Sequence, residues 1–195
     1  MPTPIAHSIV SLTLSNGKQE RGSLLKWAAF WVVLGNFADL DFIPGILMGE
    51  PGRFHHGVTH TIFFAVILAA GAYRLYPVLF KGRKVHFWVF LSVTASHLFL
   101  DCLTLDTVAP FGLPLLWPFS HTYFRFPFSL FLNVNRAMDL NVLFTWHNLL
   151  AISLEIFLTL PILLIVWIVR YRPGISTDSL KRAFRAVKKG ESMSN

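Results

Sequence analysis

Charged residues are scarce in this chain. Only 14% of its 195 residues are Asp, Glu, Lys or Arg, against 54% hydrophobic residues, whereas a soluble domain carries roughly 25% charged residues. So little charge cannot cover a water-facing surface of this size, which excludes an ordinary soluble domain. Cysteine is nearly absent: Cys102 stands alone, so no internal disulfide can form. Internal repeats and low-complexity segments are lacking too, and the length fits one domain. The opening residues, MPTPIAHSIV, lack the positive n-region and small-residue cleavage site of a signal peptide, so no processing is expected. Acids are outnumbered, 10 against 17 Lys and Arg, giving a formal net charge of +7. In a soluble protein that excess would suggest nucleic acid. Here the basic residues flank apolar runs, so the expected partners are membrane lipids with anionic headgroups, and no nucleic acid.

What the chain has in abundance is apolar sequence, with a mean hydropathy of +0.55. Three runs, 58–80, 85–105 and 149–169, approach the roughly 20 apolar residues that a bilayer span requires. Pro161 is expected to kink the last one. Two shorter apolar stretches, 5–14 and 24–34, predict a helical hairpin turning at Ser15-Asn16-Gly17. Residues 109–127, rich in Pro, Phe and Trp, read as an interfacial loop. The fold class is therefore all-α: a polytopic membrane bundle of about three to five helices over residues 1–170. A basic cytoplasmic tail follows over 171–195, where Leu180, Phe184 and Val187 suit an amphipathic surface helix.

Lys18, Arg21 and Lys26, then Lys81, Arg83 and Lys84, then Arg170, Arg172 and the tail, alternate with the apolar runs. The positive-inside rule puts all three groups in the cytoplasm. The same topology carries His7, Asp39, Asp41, His55, His56, His60, His97 and Asp101 to the opposite, outer face. His97 and Asp101, at i and i+4, share one side of a helix. A carboxylate inside a membrane helix costs roughly 3 kcal/mol on insertion scales, which a metal ion or a plain His–Asp hydrogen bond would offset. His55-His56-Gly57-Val58-Thr59-His60 adds imidazoles, the commonest metal ligands. Gly57 would let the backbone bend so that His55 and His60 both face inward, and Thr59 would support a ligand from behind. Imidazole with carboxylate suits Zn²⁺, with Mn²⁺ or Fe²⁺ as alternatives. Glu155, inside the last run, needs a partner, for which His147 is a candidate. His86 reads as interfacial, and His121 lies in the loop.

These pieces resemble the YdjM-type family of bacterial inner-membrane proteins, known as membrane-bound metal-dependent hydrolases. The resembling stretches are His7, Ala38-Asp39-Leu40-Asp41, His55 to His60, and Ser96-His97-Leu98-Phe99-Leu100-Asp101. Thr104, Gly112-Leu113-Pro114-Leu115-Leu116-Trp117-Pro118 and Arg125-Phe126-Pro127 continue the match. The resemblance implies His7, Asp39, Asp41, His55, His60, His97 and Asp101 as ligand set, and a bacterial inner-membrane location. Two departures stand out: His56 replaces the family's usual arginine, and the loop between Thr104 and Pro114 is longer than usual. More remotely, the His-x-x-x-Asp spacing is similar to helical zinc-dependent phospholipases C, but their His-x-x-x-Glu element is missing, since Ala151 follows His147 by four.

Seven ligands exceed the four of one tetrahedral zinc, so two ions bridged by Asp41 or Asp101 are expected. The leading expectation is a hydrolase acting on a lipid or lipid-linked ester or phosphoester through a metal-activated water. Asp39 is the expected proton acceptor, and Arg125 the expected phosphate-binding group. The alternatives are a metal transporter or sensor, and a structural protein whose metal staples its helices.

Overall fold

The computed structural model describes residues 2–15, 24–50, 52–105, 107, 111–135 and 145–171. The centre of the hairpin turn, Lys18 and Arg21, and the tail with its expected amphipathic helix lie outside the described residues. Among those described, the fold is all-helical. The helices are α1 (Pro4–Leu14), α2 (Leu24–Gly35), α3 (Phe42–Leu47), α4 (Ile62–Leu79), α5 (Phe87–Cys102) and α6 (Trp146–Tyr171). Two 3₁₀ turns, Phe37–Asp41 and Val58–His60, precede α3 and α4.

Local chemistry sets the helix ends. Thr3 caps α1 by accepting from the Ile5 amide, and Pro4 occupies the first turn, where its missing N–H is no loss. Thr61 caps α4 by accepting from the Phe64 amide at 3.0 Å. The fourth helix therefore starts at Ile62 rather than Val58, because the residues before it form a tighter turn. Pro161 lies inside α6, whose helix continues without interruption.

α5 differs most from its expected length. At 16 residues it spans about 24 Å, short of the roughly 30 Å hydrocarbon core. It is packed by α1, α2 and α4 on one side, while Trp88, Ser92, Ala95 and Phe99 leave one face open. α4 and α6 are long and apolar enough to cross a membrane, and α2 with Phe37–Leu47 forms a third candidate span, bent by 63°.

The bundle is polarised along its axis. A core of Trp27, Trp31, Leu34, Ala69, Ala72, Tyr76, Phe80, Phe90 and Val93 fills one half. At that end Lys26 donates to the Leu79 carbonyl, and Arg170 donates to the Ser15 carbonyl. The polar residues gather at the other end. Residues 111–131 fold over that end of α5. Phe126 donates to the Cys102 carbonyl, Leu130 to Leu103 and Leu105 to Phe131, while Ile62 donates to Leu115. Phe119 and Phe128 of this loop are exposed, as an interfacial loop requires.

Glu155 is fully buried in α6. It accepts from the Thr3 amide at 2.8 and 3.0 Å and from the Thr3 hydroxyl. The expected partner, His147, instead faces the Asn133 carbonyl at 2.7 Å. Glu155 is on the side of α6 that packs against α1, and His147 stands two turns earlier. The carboxylate thus ties the first turn of α1 to α6, one turn before His7.

Candidate metal centre

Each element delivers its polar groups to the same place. α1 contributes His7, the 3₁₀ turn after α2 contributes Asp39 and Asp41, and the approach to α4 contributes His55 and His60. The last turns of α5 contribute His97 and Asp101. At the middle, His60 Nε2 and His97 Nε2 face one another at 3.3 Å. Asp101 Oδ2 lies 3.5 Å from the first and 3.3 Å from the second. Asp39 Oδ1 lies 3.7 and 3.6 Å from the same two nitrogens. His7 Nε2 lies 3.5 Å from Asp101 Oδ1, so the two oxygens of Asp101 face different imidazoles. The His7 ring stacks on His97 with centroids 4.0 Å apart.

These separations are too long for good hydrogen bonds. They match the edges of a coordination polyhedron: bonds of about 2.0–2.1 Å put tetrahedral zinc ligands roughly 3.3–3.4 Å apart. In the cluster, both ring nitrogens of His7, Asp39 Oδ1, His55 Nε2 and both oxygens of Asp101 have no hydrogen-bond partner, while the Nε2 atoms of His60 and His97 have each other at 3.3 Å. Buried polar atoms are normally paired. Four of these atoms, His7 Nε2, Asp39 Oδ1 and both oxygens of Asp101, lie with the Nε2 atoms of His60 and His97, a nitrogen and carboxylate set that fits a divalent cation. Three overlapping groups have ligand atoms mutually within 4.8 Å: His7, Asp39 and His97; Asp39, His55 and His60; His60, His97 and Asp101.

Second partners fix the imidazoles. The Gly35 carbonyl lies 2.8 Å from His97 Nδ1, so that nitrogen carries the proton and Nε2 presents its lone pair. A Cβ at Gly35 would sit 1.7 Å from Ser11 Oγ and 3.3 Å from the His7 carbonyl. Only glycine lets α1 and α2 approach this closely, and that approach brings His7 against His97. Asp41 does the same for the other pair. Its Oδ1 lies 3.0 Å from His55 Nδ1 and its Oδ2 3.1 Å from His60 Nδ1, and the Thr59 hydroxyl donates to Oδ2 at 2.8 Å. Both Asp41 oxygens are therefore engaged behind the imidazoles. Phe42 stacks on His55, with centroids 4.0 Å apart.

The left-handed residue in this segment is His56, at φ 61°, rather than Gly57. Histidine is among the residues that tolerate this region. Gly57 is needed for space, since an added Cβ would lie 2.9 Å from the Phe54 carbonyl. Burial holds His55 below the usual imidazole range and pushes His56 down to about 3, so His55 is held in the neutral form that binds metals.

A cavity of about 710 Å³ opens beside the cluster, lined by Asp41, His55, His56, Arg53, Phe37 and Tyr123 among others. Arg125 is elsewhere. It stands 5.7 Å over the Phe111 ring and lines a separate cavity with Ile62, Leu98 and Phe126. Arg53 is the cation that lines the site cavity, half-exposed and 3.4 Å from Glu50. Its place two residues before His55 was the available signal. Tyr123 and the Gly35 carbonyl gave none, since only the folded chain brings them here. His121 is exposed in the loop, and His86 precedes α5 at the far end.

Comparison with curated proteins found no match, and neither did comparison with solved structures. The family model described as YdjM inner membrane protein matches residues 1–174, the whole described bundle and every residue of the cluster, and the chain belongs to that family.

Proposed function

We propose that this inner-membrane protein is a metal-dependent hydrolase that cleaves an ester or phosphoester at one end of its bundle. The carrying observation is the set of buried imidazole and carboxylate atoms 3.3–3.7 Å apart beside an open cavity. His7, Asp39, His55, His60, His97 and Asp101 would hold the metal, and Asp41 would hold the rings of His55 and His60. Six ligands in overlapping groups suit two ions, with Asp101 facing both sides. Zinc fits the donors best, with manganese or iron as alternatives.

When bound, the metal would acidify a water and polarise the substrate oxygen. Asp39 is the proton acceptor of choice, because its side chain is 12% exposed while that of Asp101 is fully buried. The water oxygen bonds to carbon or phosphorus, and the ester oxygen leaves with a proton. Arg53 takes the phosphate-binding role that the sequence suggested for Arg125. Basic groups at the opposite helix ends support an outer-face site, with the C-terminus in the cytoplasm.

A transporter would need polar groups leading to the other end. The described core there is aromatic and apolar, and the cations at that end, Lys26 and Arg170, bond to backbone carbonyls, which favours the hydrolase. The test is turnover of ester and phosphoester substrates by the detergent-purified protein, before and after chelation. Activity lost with chelator and restored by Zn²⁺ or Mn²⁺ supports the reading; activity indifferent to chelator refutes it.

A further inference from the structure

A second cavity, of about 660 Å³, runs between α2 and α4 on the outer surface of the bundle. Apart from Lys26, its lining is apolar throughout. Two features set it apart from an incidental crevice. At one end it meets the site: Phe37 lines both this groove and the site cavity. Phe64, whose ring stacks on Phe37 at 6.4 Å, lines both the groove and a small void that reaches His97. At the other end Lys26 crosses it, donating to the Leu79 carbonyl and lying over the Phe80 ring. The distance along α2 from Lys26 to Phe37 is roughly 16 Å. An apolar groove of that length, bridged by Lys26 at the basic end and bordering at the other a site that holds polar chemistry, has the shape of a tailed molecule.

We infer that the groove seats one hydrocarbon chain of a membrane lipid, whose ester or phosphoester head lies in the cavity beside the metal centre. The substrate class is thus a lipid approached from the bilayer, with the tail entering between α2 and α4 and its far end stopped at Lys26. The chemistry at the head rests on the hydrolase reading; the seat for the tail does not.

Gly71 provides the test. It lines the groove, and a Cβ added there meets nothing within 4 Å, so Gly71→Trp starts in open space and puts its indole in the groove. Val33→Trp, on an exposed position of α2 across the groove, is the second variant should the first misfold. The probe is palmitoyl lysophosphatidate with a diazirine in its chain, added to the protein in phosphatidylcholine nanodiscs, and labelled residues are mapped by mass spectrometry. Labelling should concentrate on Val33, Ile67 and Leu75, and in the tryptophan variants should fall to the level at Ile165 on the exposed side of α6, with metal content unchanged. Labelling spread evenly over the lipid-facing helices, or unchanged by both variants, overturns the proposal. Turnover of the same lipid and of p-nitrophenyl phosphate separates the two readings. Loss of the lipid reaction alone in the variants supports the groove as the substrate's seat. Equal lipid turnover in wild type and variants overturns it. Groove-confined labelling with no turnover of either compound keeps the lipid seat and removes the hydrolase.

Discussion

Replacing Asp41 with asparagine changes one oxygen to an NH₂ group and little else, yet it strikes two ligands. Asp41 accepts from His55 through one oxygen and from His60 and Thr59 through the other. An asparagine has one acceptor end and one donor end. Whichever imidazole meets the donor must turn its proton to Nε2, and that nitrogen can then no longer bind metal. Losing such a supporting carboxylate costs about 10–100-fold in metal affinity, or about 1.4–2.7 kcal/mol. Thr59→Val removes one hydroxyl donor and should cost less, about 1 kcal/mol. The assay is competition for Zn²⁺ against a chelating dye in detergent. Wild-type affinity in Asp41→Asn would refute the supporting role. Complete loss of metal, equal to that on removing His97, would show instead that Asp41 binds the metal directly.

Gly35→Ala should destabilise the bundle by about 1–3 kcal/mol through overpacking and weaken metal binding, because the new methyl meets Ser11 Oγ; thermal unfolding and the dye assay read both. Glu155→Ala strands the Thr3 amide and should cost about 1–3 kcal/mol, while Glu155→Gln keeps an acceptor and should cost less. Metal affinity should follow the same order, since His7 rides on the helix that Glu155 anchors. Saturating Zn²⁺ at about 1,000 times its dissociation constant should stabilise the protein by about 4 kcal/mol, seen as a rise in Tm that a chelator reverses.

The apolar runs and their basic flanks made the helical bundle and its polarity legible before any coordinates. The i, i+4 pair of His97 and Asp101 and the cluster from His55 to His60 made most of the centre legible too. What was not legible depends on long-range contact. Nothing in Asp39-Leu40-Asp41 says which carboxylate faces His60 Nε2 and His97 Nε2 and which supports the rings, because that follows from a 3₁₀ turn whose two acids point to different neighbours. Arg125 and Arg53 are equally plausible anion-binding groups until the loop over α5 carries the first toward Phe111. Glu155 announced that it needed a partner, but Thr3 lies 152 residues away. α5 read as a span because its composition matches one, but its helix ends at Cys102, after 16 residues, where residues 111–131 fold over it.

The central claim is that these imidazoles and carboxylates hold metal. Mass spectrometry of metals in the purified protein, beside His97→Ala and Asp101→Ala, tests it most directly. Divalent metal should accompany the wild type and fall sharply in both variants, which lose an atom from the middle of the cluster. Equal metal content in all three would contradict the account.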